Sequence, residues 1–361
     1  MITISVCMIV KNEEAVLARC LESARQIAAE LGGIDTGSSD RTKEIAAEYT
    51  DRIFDFAWED DFSRARNFSF AQATMDYCMW LDADDILLPE DIEKIRALKQ
   101  TLDPRTDIVM MRYHTSFDEN GRPSFTYYRE RLIRRAAGFR WEGAVHEVIA
   151  PAGHIVYSEA AVTHRKTGRG DPDRNLRIFE KLLARGEQLD PRQQFYYARE
   201  LYYHSRFREA IGAFRAFLDG GAGWIENNID ACRQLAYCYY GLKQDREALR
   251  ALLMSLEYDC PRAETCCDIG GHFFGRERYR EAIFWYDLAA RCKRNDTSGG
   301  FILPDCYDYI PYLQLCVCYD RLGDAKTAEQ YNELAAACRP GSVEVAANRR
   351  YFAQKRAEKA K

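Results

Sequence analysis

Ala210, Ala248, Ala282 and Ala328 sit in four copies of one short pattern: an aromatic or cysteine pair, a polar turn, then a charged segment entering a helix. The copies read YYHSRFREAI, YYGLKQDREAL, FFGRERYREAI and CYDRLGDAKTA, and the alanine advances by 38, 34 and 46 residues. A helix-turn-helix unit of that length cannot bury its own apolar face, so it must stack on copies of itself. From about Asp173 onward the chain is therefore expected to be all-α. Leu176, Phe179, Leu182 and Leu183 give a connecting amphipathic helix ahead of the repeats. The long last step coincides with an insertion, Asn295-Asp296-Thr297-Ser298-Gly299-Gly300. Such stacks form a concave surface suited to extended peptides, and Tyr196, Tyr197, Tyr239, Tyr240 and Trp285 are aromatic enough to line one or to fill its core.

The first half has a different rhythm. Ile2 to Val10, Leu31 to Ile34, Arg52 to Phe56 and Tyr77 to Leu81 read as strands. Between them lie an amphipathic helix through Val16, Leu17, Cys20, Leu21 and Ala24, one over Asp40 to Tyr49, and one over Asn67 to Thr74. Strands alternating with short helices predict an α/β domain with a doubly wound, mostly parallel, Rossmann-like sheet. Asp107 to Val162 reads as mainly β, with strands at Ile108 to Tyr113 and Phe125 to Leu132 around a turn at Asn120-Gly121.

Open sheets bind ligands beyond the carboxyl ends of their strands. There this sequence places Asn12, Asp35, Arg66 and the D-x-D of Asp82, Ala83 and Asp84. The set suits a nucleotide diphosphate: an Asp for base or ribose, an Arg for phosphate, and two Asp for a hard divalent cation. Acidic turns after strands are common, so the D-x-D alone decides nothing. Gly37-Ser38 permits close backbone approach, while the absence of G-x-G-x-x-G or a Walker sequence argues against dehydrogenases and kinases. A formal net charge of −5 argues against nucleic acid as partner. No 18-residue apolar run predicts a membrane span, and the start lacks a basic n-region, so the cytoplasm is the expected location. Ten of the thirteen cysteines fall between Cys232 and Cys338 among apolar neighbours and are expected to pack as small hydrophobes.

Four motifs in order, CMIVKNEE, DTGSSDRT, DDFSRARNFS and WLDADD, resemble glycosyltransferase family 2 with its GT-A fold. The resemblance implies that Asp82 and Asp84 hold Mg²⁺ or Mn²⁺ against a nucleotide-sugar diphosphate. It also implies that Asp35 contacts the nucleoside and Arg66 a phosphate, with Asn12, Glu14, Gly37, Ser38 and Ala83 in the same donor-binding turns. Gly32-Gly33 departs from the β-branched residues usual there, and glycine weakens a strand interior, so a distorted second strand is expected. Trp141 to Glu147 resembles the w-x-G-x-x-H-E segment of a family subgroup. An inverting transferase needs a carboxylate to take the acceptor's proton: Glu147 is the candidate, Glu142 the second, with pairing to Arg131 or Arg134 as the structural alternative. His146 and, by resemblance to the late histidine of GT-A enzymes, His164 are candidate metal ligands; His154 is a weaker one. The basic loop Arg165 to Arg169 is a candidate to fold over the diphosphate.

The helical units resemble tetratricopeptide repeats, and the joint layout resembles the sublancin-type peptide S-glycosyltransferases. That resemblance implies a GT-A domain at 1–170, a connecting helix at 171–190 and repeats at 191–361. It implies transfer of a hexose from a nucleotide-sugar of the UDP-glucose type to a peptide or protein, such as a cysteine of a bacteriocin precursor. A cell-envelope glycan or lipid-linked acceptor is the alternative within the class. An inactive transferase domain serving as scaffold for the repeats is the alternative outside it. A self-associating repeat face would make a homodimer.

Overall fold

The computed structural model describes residues 1–117, 121, 123–166 and 170–359; the expected turn at Asn120 and the loop residues Gly168 and Arg169 lie outside them. The chain divides into two units, Met1–Leu189 and Asp190–Lys361.

In the first unit, β1 (Ile4–Val10) leads through α1 (Leu17–Ala24) to β2 (Glu30–Asp35), and α2 (Thr42–Ala47) to β3 (Ile53–Asp55). Next come α3 (Phe62–Gln72), β4 (Tyr77–Trp80), a short β5 (Asp85–Ile86) and α4 (Pro89–Thr101). Three long strands follow, β6 (Ile108–Phe117), β7 (Pro123–Arg134) and β8 (Ile155–His164), and α5 (Arg174–Ala184) ends the unit. The strands form one sheet in the order β3-β2-β1-β4-β7-β6-β8-β5. It is parallel from β3 to β4, turns antiparallel where the β6–β7 hairpin inserts beside β4, and is mixed beyond.

β1 is apolar along its length and almost wholly buried, as a central parallel strand covered on both faces must be. Leu17, Cys20, Leu21 and Ala24, the apolar stripe of α1, are buried. The expected distortion of β2 is absent: Gly32 and Gly33 pair with Cys7 and Met8 in unbroken register, and Gly33 also pairs with Ile53. Pairing with β1 holds both glycines extended, and β3 flanks Gly33 as well. α3 starts five residues earlier than its apolar pattern suggests, because the Asp61 side chain caps it by accepting from the Arg64 amide at 3.1 Å. α4 is signalled by Pro89 at its first turn with Glu90 and Asp91 beside it, rather than by a clear apolar stripe.

The second unit is a succession of antiparallel helix pairs: α6 (Pro191–Tyr203) with α7 (Phe207–Asp219), α8 (Ile225–Gly241) with α9 (Asp245–Met254), α10 (Ala263–Phe274) with α11 (Tyr279–Arg291), and α12 (Tyr309–Arg321) with α13 (Ala325–Cys338). A last helix, α14 (Val343–Lys359), packs on α13. Each marker alanine is completely buried where its helix meets its partner. The repeat is also written in the backbone. Ser205, Lys243, Glu277 and Gly323 occupy equivalent turns, each with a positive φ (57°, 58°, 58° and 88°), the conformation that ends one helix and redirects the next. Seven of the ten cysteines in this unit are buried and all ten are free thiols, in keeping with a packing role. No helix among the described residues is long and apolar enough to cross a membrane.

Candidate active site

β1, β2 and β4 run parallel, so the loops after Val10, Asp35 and Trp80 leave the same edge of the sheet. β4 ends at Trp80, and the fully buried Leu81 hands the chain to Asp82, Ala83, Asp84 and Asp85. Asp85 is the anchor. It is fully buried, and both oxygens are engaged: Oδ1 accepts from Tyr113 Oη at 2.9 Å and lies 3.3 Å from His164 Nδ1. Its Oδ2 accepts from Arg131 Nη1 at 3.2 Å and from the Asp82 amide at 3.1 Å. Arg131, on β7, has no exposed surface and stacks 3.6 Å above the Trp80 ring and 4.3 Å from that of Tyr113. Two of its nitrogens, Nε and Nη2, have no hydrogen-bond partner among the described residues, so the aromatic faces stand in for water.

This network sets the imidazole. His164 Nδ1 lies 3.1 Å from Tyr113 Oη and 3.4 Å from Asp84 Oδ1, an arrangement that leaves Nε2 as the nitrogen for a ligand. Its hydrogen bond with Asp85 raises the His164 pKa against the opposing effect of burial. Burial pushes the Asp84 carboxyl up, and Asp82 and Asp85 push the same way against His164. Ligand atoms of Asp84, Asp85 and His164 lie within 4.8 Å of one another. Two carboxylates and an imidazole fit a divalent cation, which would relieve the crowding of negative charge around Asp84. Asp85, Arg131 and Tyr113 all appear in motifs or strands of the sequence, but no local pattern there joins them into one network. The third acid of D-A-D-D is the only local hint of it.

A second network spans the cleft. Arg66, one turn into α3 and 7% exposed, donates from Nη2 to Asp82 Oδ1 at 2.7 Å and from Nε to Glu147 Oε1 at 2.5 Å. Its guanidinium also lies 4.8 Å and 5.0 Å from the rings of Trp80 and Trp141. Burial works against the Arg66 charge, but Asp82 and Glu147 outweigh it and raise its pKa; burial likewise opposes ionised Asp82, and Arg66 reverses that and lowers the carboxyl. Asn67 fixes the opposite wall: its amide nitrogen donates to the Trp141 carbonyl and its oxygen accepts from the Trp141 amide, both at 2.9 Å. The Phe62 amide bonds the Ala144 carbonyl as well. The adjacent Arg-Asn thus has two jobs, one holding carboxylates and one holding the segment that carries Glu147. Arg131 and Arg134 do not pair with Glu147; they bind Asp85 and Asp107. Glu142 is exposed and bridges Val148 through its backbone, outside the cleft lining. His146 lines the cleft with a positive φ of 52°, a strained position of the kind found at functional sites. His154 is exposed and packs beside Thr106 and Asp107, at the start of β8, whereas His164 ends it.

The donor-side turns are tied to each other. Asp35 is 3% exposed, and its carboxylate accepts from the amides of Gly37, whose φ is 101°, and Ser38. Asn12, at φ 55°, donates its amide to Ser38 Oγ and accepts from the Ser39 amide through its side chain. The Glu14 carboxylate accepts from the Arg41 amide. Between them, burial together with Asp84 and Asp82 lifts Glu13 to about 7.

The cleft has two overlapping lobes of about 710 and 730 Å³. Asp82, Asp84, Arg66, Glu147 and His164 line the first; Asn12, Arg177 and Lys181 line the second, and Lys11, Lys166 and Arg174 line both. Lys181 pairs with Asp60 and Arg177 with Asp171, but Lys11, Lys166 and Arg174 make no ion pair among the described residues. Arg174 instead rests 4.6 Å above the Phe62 ring.

Residues 5–155 match the family model described as Glycosyl transferase family 2. A TPR repeat-containing protein of Synechococcus elongatus is 36% identical over 150 residues, 41% of this chain and 36% of that protein. The SPbeta prophage-derived glycosyltransferase SunS of Bacillus subtilis is 27% identical over 302 residues, 79% of this chain and 68% of its own. The lipopolysaccharide core biosynthesis glycosyltransferase LpsC of Rhizobium meliloti is 29% identical over 163 residues, 42% of this chain and 58% of its own. The chain thus spans about a third of the first relative's length and about two thirds of the second's. Residues 5–155 thus match glycosyltransferase family 2, on a mixed α/β sheet similar to that of GT-A glycosyltransferases, and are followed by helical repeats resembling tetratricopeptide repeats.

Proposed function

We propose that this protein is a metal-dependent, inverting glycosyltransferase that moves a hexose from a nucleotide diphosphate sugar, of the UDP-glucose type, to a peptide or protein. The observation that carries the reading is the two-sided cleft. Asp84 and His164 stand on one wall, Glu147 on another, and Arg66 joins Asp82 to Glu147. Asp84, His164 and, on release from Arg66, Asp82 would hold Mn²⁺ or Mg²⁺. Such an ion neutralises charge on a departing diphosphate. Lys11, Lys166 and Arg174, which make no ion pair among the described residues, would bind the phosphates at the mouth. Asn12 and Asp35, in the tied turns, would bound the nucleoside. Glu147 is held through Oε1 alone, and its Oε2 makes no hydrogen bond among the described residues, so that oxygen would accept the acceptor's proton. Trp58, Phe62, Trp80 and Tyr113 give the cleft aromatic surface that excludes water from the reacting centre.

The helical repeats favour a peptide acceptor. The Rhizobium relative, a lipopolysaccharide core biosynthesis glycosyltransferase, supports a second reading, a glycan acceptor on the same site. A thiol acceptor would need less from Glu147 than a hydroxyl, because a thiol ionises more easily.

The experiment is a donor-hydrolysis screen with Mn²⁺ and a panel of UDP-, GDP- and dTDP-sugars, with Asp84→Ala as control. Nucleotide release from one donor, lost in the variant, is the expected result. Absence of both release and nucleotide binding by calorimetry would leave the domain a scaffold for the repeats. Adding peptides and lipopolysaccharide core separately then distinguishes the acceptors.

A further inference from the structure

The insertion noted in the repeat spacing is built into the fold of the second unit. Phe301 packs 4.3 Å from the Arg199 guanidinium of α6, and the Leu303 amide donates to Glu264 Oε1 of α10 at 2.8 Å. Between them, Gly299 and Gly300 lie so close to Trp224 and Glu226 that a Cβ would come within 2.9 Å and 2.3 Å of those side chains. The segment is thus a strap across three successive helix pairs. Beneath it α8 has no wet face over much of its length. Asn227, Asp230, Arg233 and Gln234 are all at most 9% exposed, although a surface helix normally keeps its polar side in water.

Under the strap lies a cavity of about 30 Å³ bordered by Glu226, Asp230, Arg233, Arg262, Glu264 and Phe301. Its charges do not balance. Arg262 is taken by Glu226 at 2.8 Å and Asp259 at 2.9 Å, and Arg233 by Asp268 at 2.8 Å. Asp230 reaches Arg233 at 3.7 Å through Oδ1 and also interacts electrostatically with Arg199; its Oδ2 is buried and makes no hydrogen bond among the described residues. Among the described residues, Glu264, 4% exposed, accepts from neutral donors alone, the Leu303 amide and Tyr307 Oη. A buried carboxylate without a cation is costly, so the cavity favours a positive guest.

We infer that this cavity is a binding site for a primary ammonium group, supplied by a lysine side chain of the peptide that the repeats receive. The volume is about that of one water, which an ammonium head matches and a guanidinium does not. A metal ion fits less well: among the described residues, Asp84, Asp85 and His164 are the group close enough to share one, and these carboxylates are not. Ile229, Phe301 and Ile302 supply apolar surface for the methylene stem. The inference rests on the repeats being the acceptor-binding surface, but not on transfer taking place.

The test uses the full chain and ligand-observed NMR with Nα-acetyl-lysine N-methylamide, compared with its norleucine and arginine counterparts. Binding of the lysine probe about tenfold tighter than either counterpart, weakened about tenfold by Asp230→Asn, is the expected result. Glu264→Gln serves as the second variant should Asp230→Asn fail to fold. Asp84→Ala should leave lysine binding intact while abolishing donor hydrolysis, so the two readings fail separately. Equal binding of the norleucine probe, no effect of either cavity variant, or no binding at all (a cavity holding water only) would each overturn the assignment.

Discussion

Arg66 and Arg233 are buried to the same extent, 7% exposed, and each bonds carboxylates from neighbouring elements. Arg233 joins α8 to α10, two helices whose place is already fixed by stacking, and faces a cavity of about 30 Å³. Arg66 joins the loop after β4 to the segment carrying Glu147, and faces a lobe of about 710 Å³. A buried ion pair therefore does not by itself mark a reaction centre. The space in front of it, and whether its carboxylates have other chemistry available, makes the difference.

The contrast can be broken most severely through Arg131. Arg131→Met leaves Asp85 as an unpaired buried charge, and chemical denaturation should register a loss of about 3–5 kcal/mol. If Asp85 orients His164, Mn²⁺ affinity should fall by about tenfold in the folded fraction, measured by electron paramagnetic resonance. Next come Arg66→Met and Arg233→Met. Both should cost about 3 kcal/mol in stability, but donor hydrolysis should collapse only in the first. Equal losses of hydrolysis would erase the distinction. Glu147→Gln should lower transfer to a hydroxyl acceptor by about 10²-fold or more while leaving donor hydrolysis nearly unchanged, and a much smaller loss would point to a thiol acceptor.

A subtler probe is Glu13, whose carboxyl is lifted to about 7 by burial with Asp84 and Asp82 nearby. Its unfolded counterpart ionises near the ordinary value of 4.5. Between the two the native state holds the extra proton, so stability falls as pH rises from 4.5 to 7 and levels off above. In chelator, Glu13→Gln should therefore match the parent near pH 4.5 and melt at progressively higher temperature than it up to pH 7; a constant offset would remove Glu13 from the site's electrostatics. The smallest effect expected is at β2. A Cβ on Gly33 would meet nothing within 4 Å, so Gly33→Ala should stabilise the first unit by about 0.5–1 kcal/mol in thermal melting.

What the sequence makes legible follows from how locally each feature is encoded. β1, the stripe of α1 and the four helix pairs are written in short-range periodicity, and Arg66, Asp82 and Asp84 lie in compact motifs. The Asp85–Arg131–Tyr113–His164 network is not legible. Its members come from four strands whose order, β4-β7-β6-β8-β5, depends on a hairpin inserting beside β4. Nor does any local pattern tell that Arg174 of α5 joins Lys11 at the cleft, because their meeting depends on tertiary packing. The early start of α3 was readable in Asp61, but the apolar spacing pointed further along. Glycines 32 and 33 misled because strand propensity ignores pairing with the neighbouring strands.

Arg66 has one further consequence, for heredity rather than chemistry. Asp82 and Glu147 are distant in sequence yet share one counter-ion, so a change at either alters what the guanidinium offers the other. Substitutions at these positions should be strongly epistatic, and descendants that drift at one should carry a compensating change at another of the three. Single-site scans of this cleft would overcount its parts, because three residues are inherited as one.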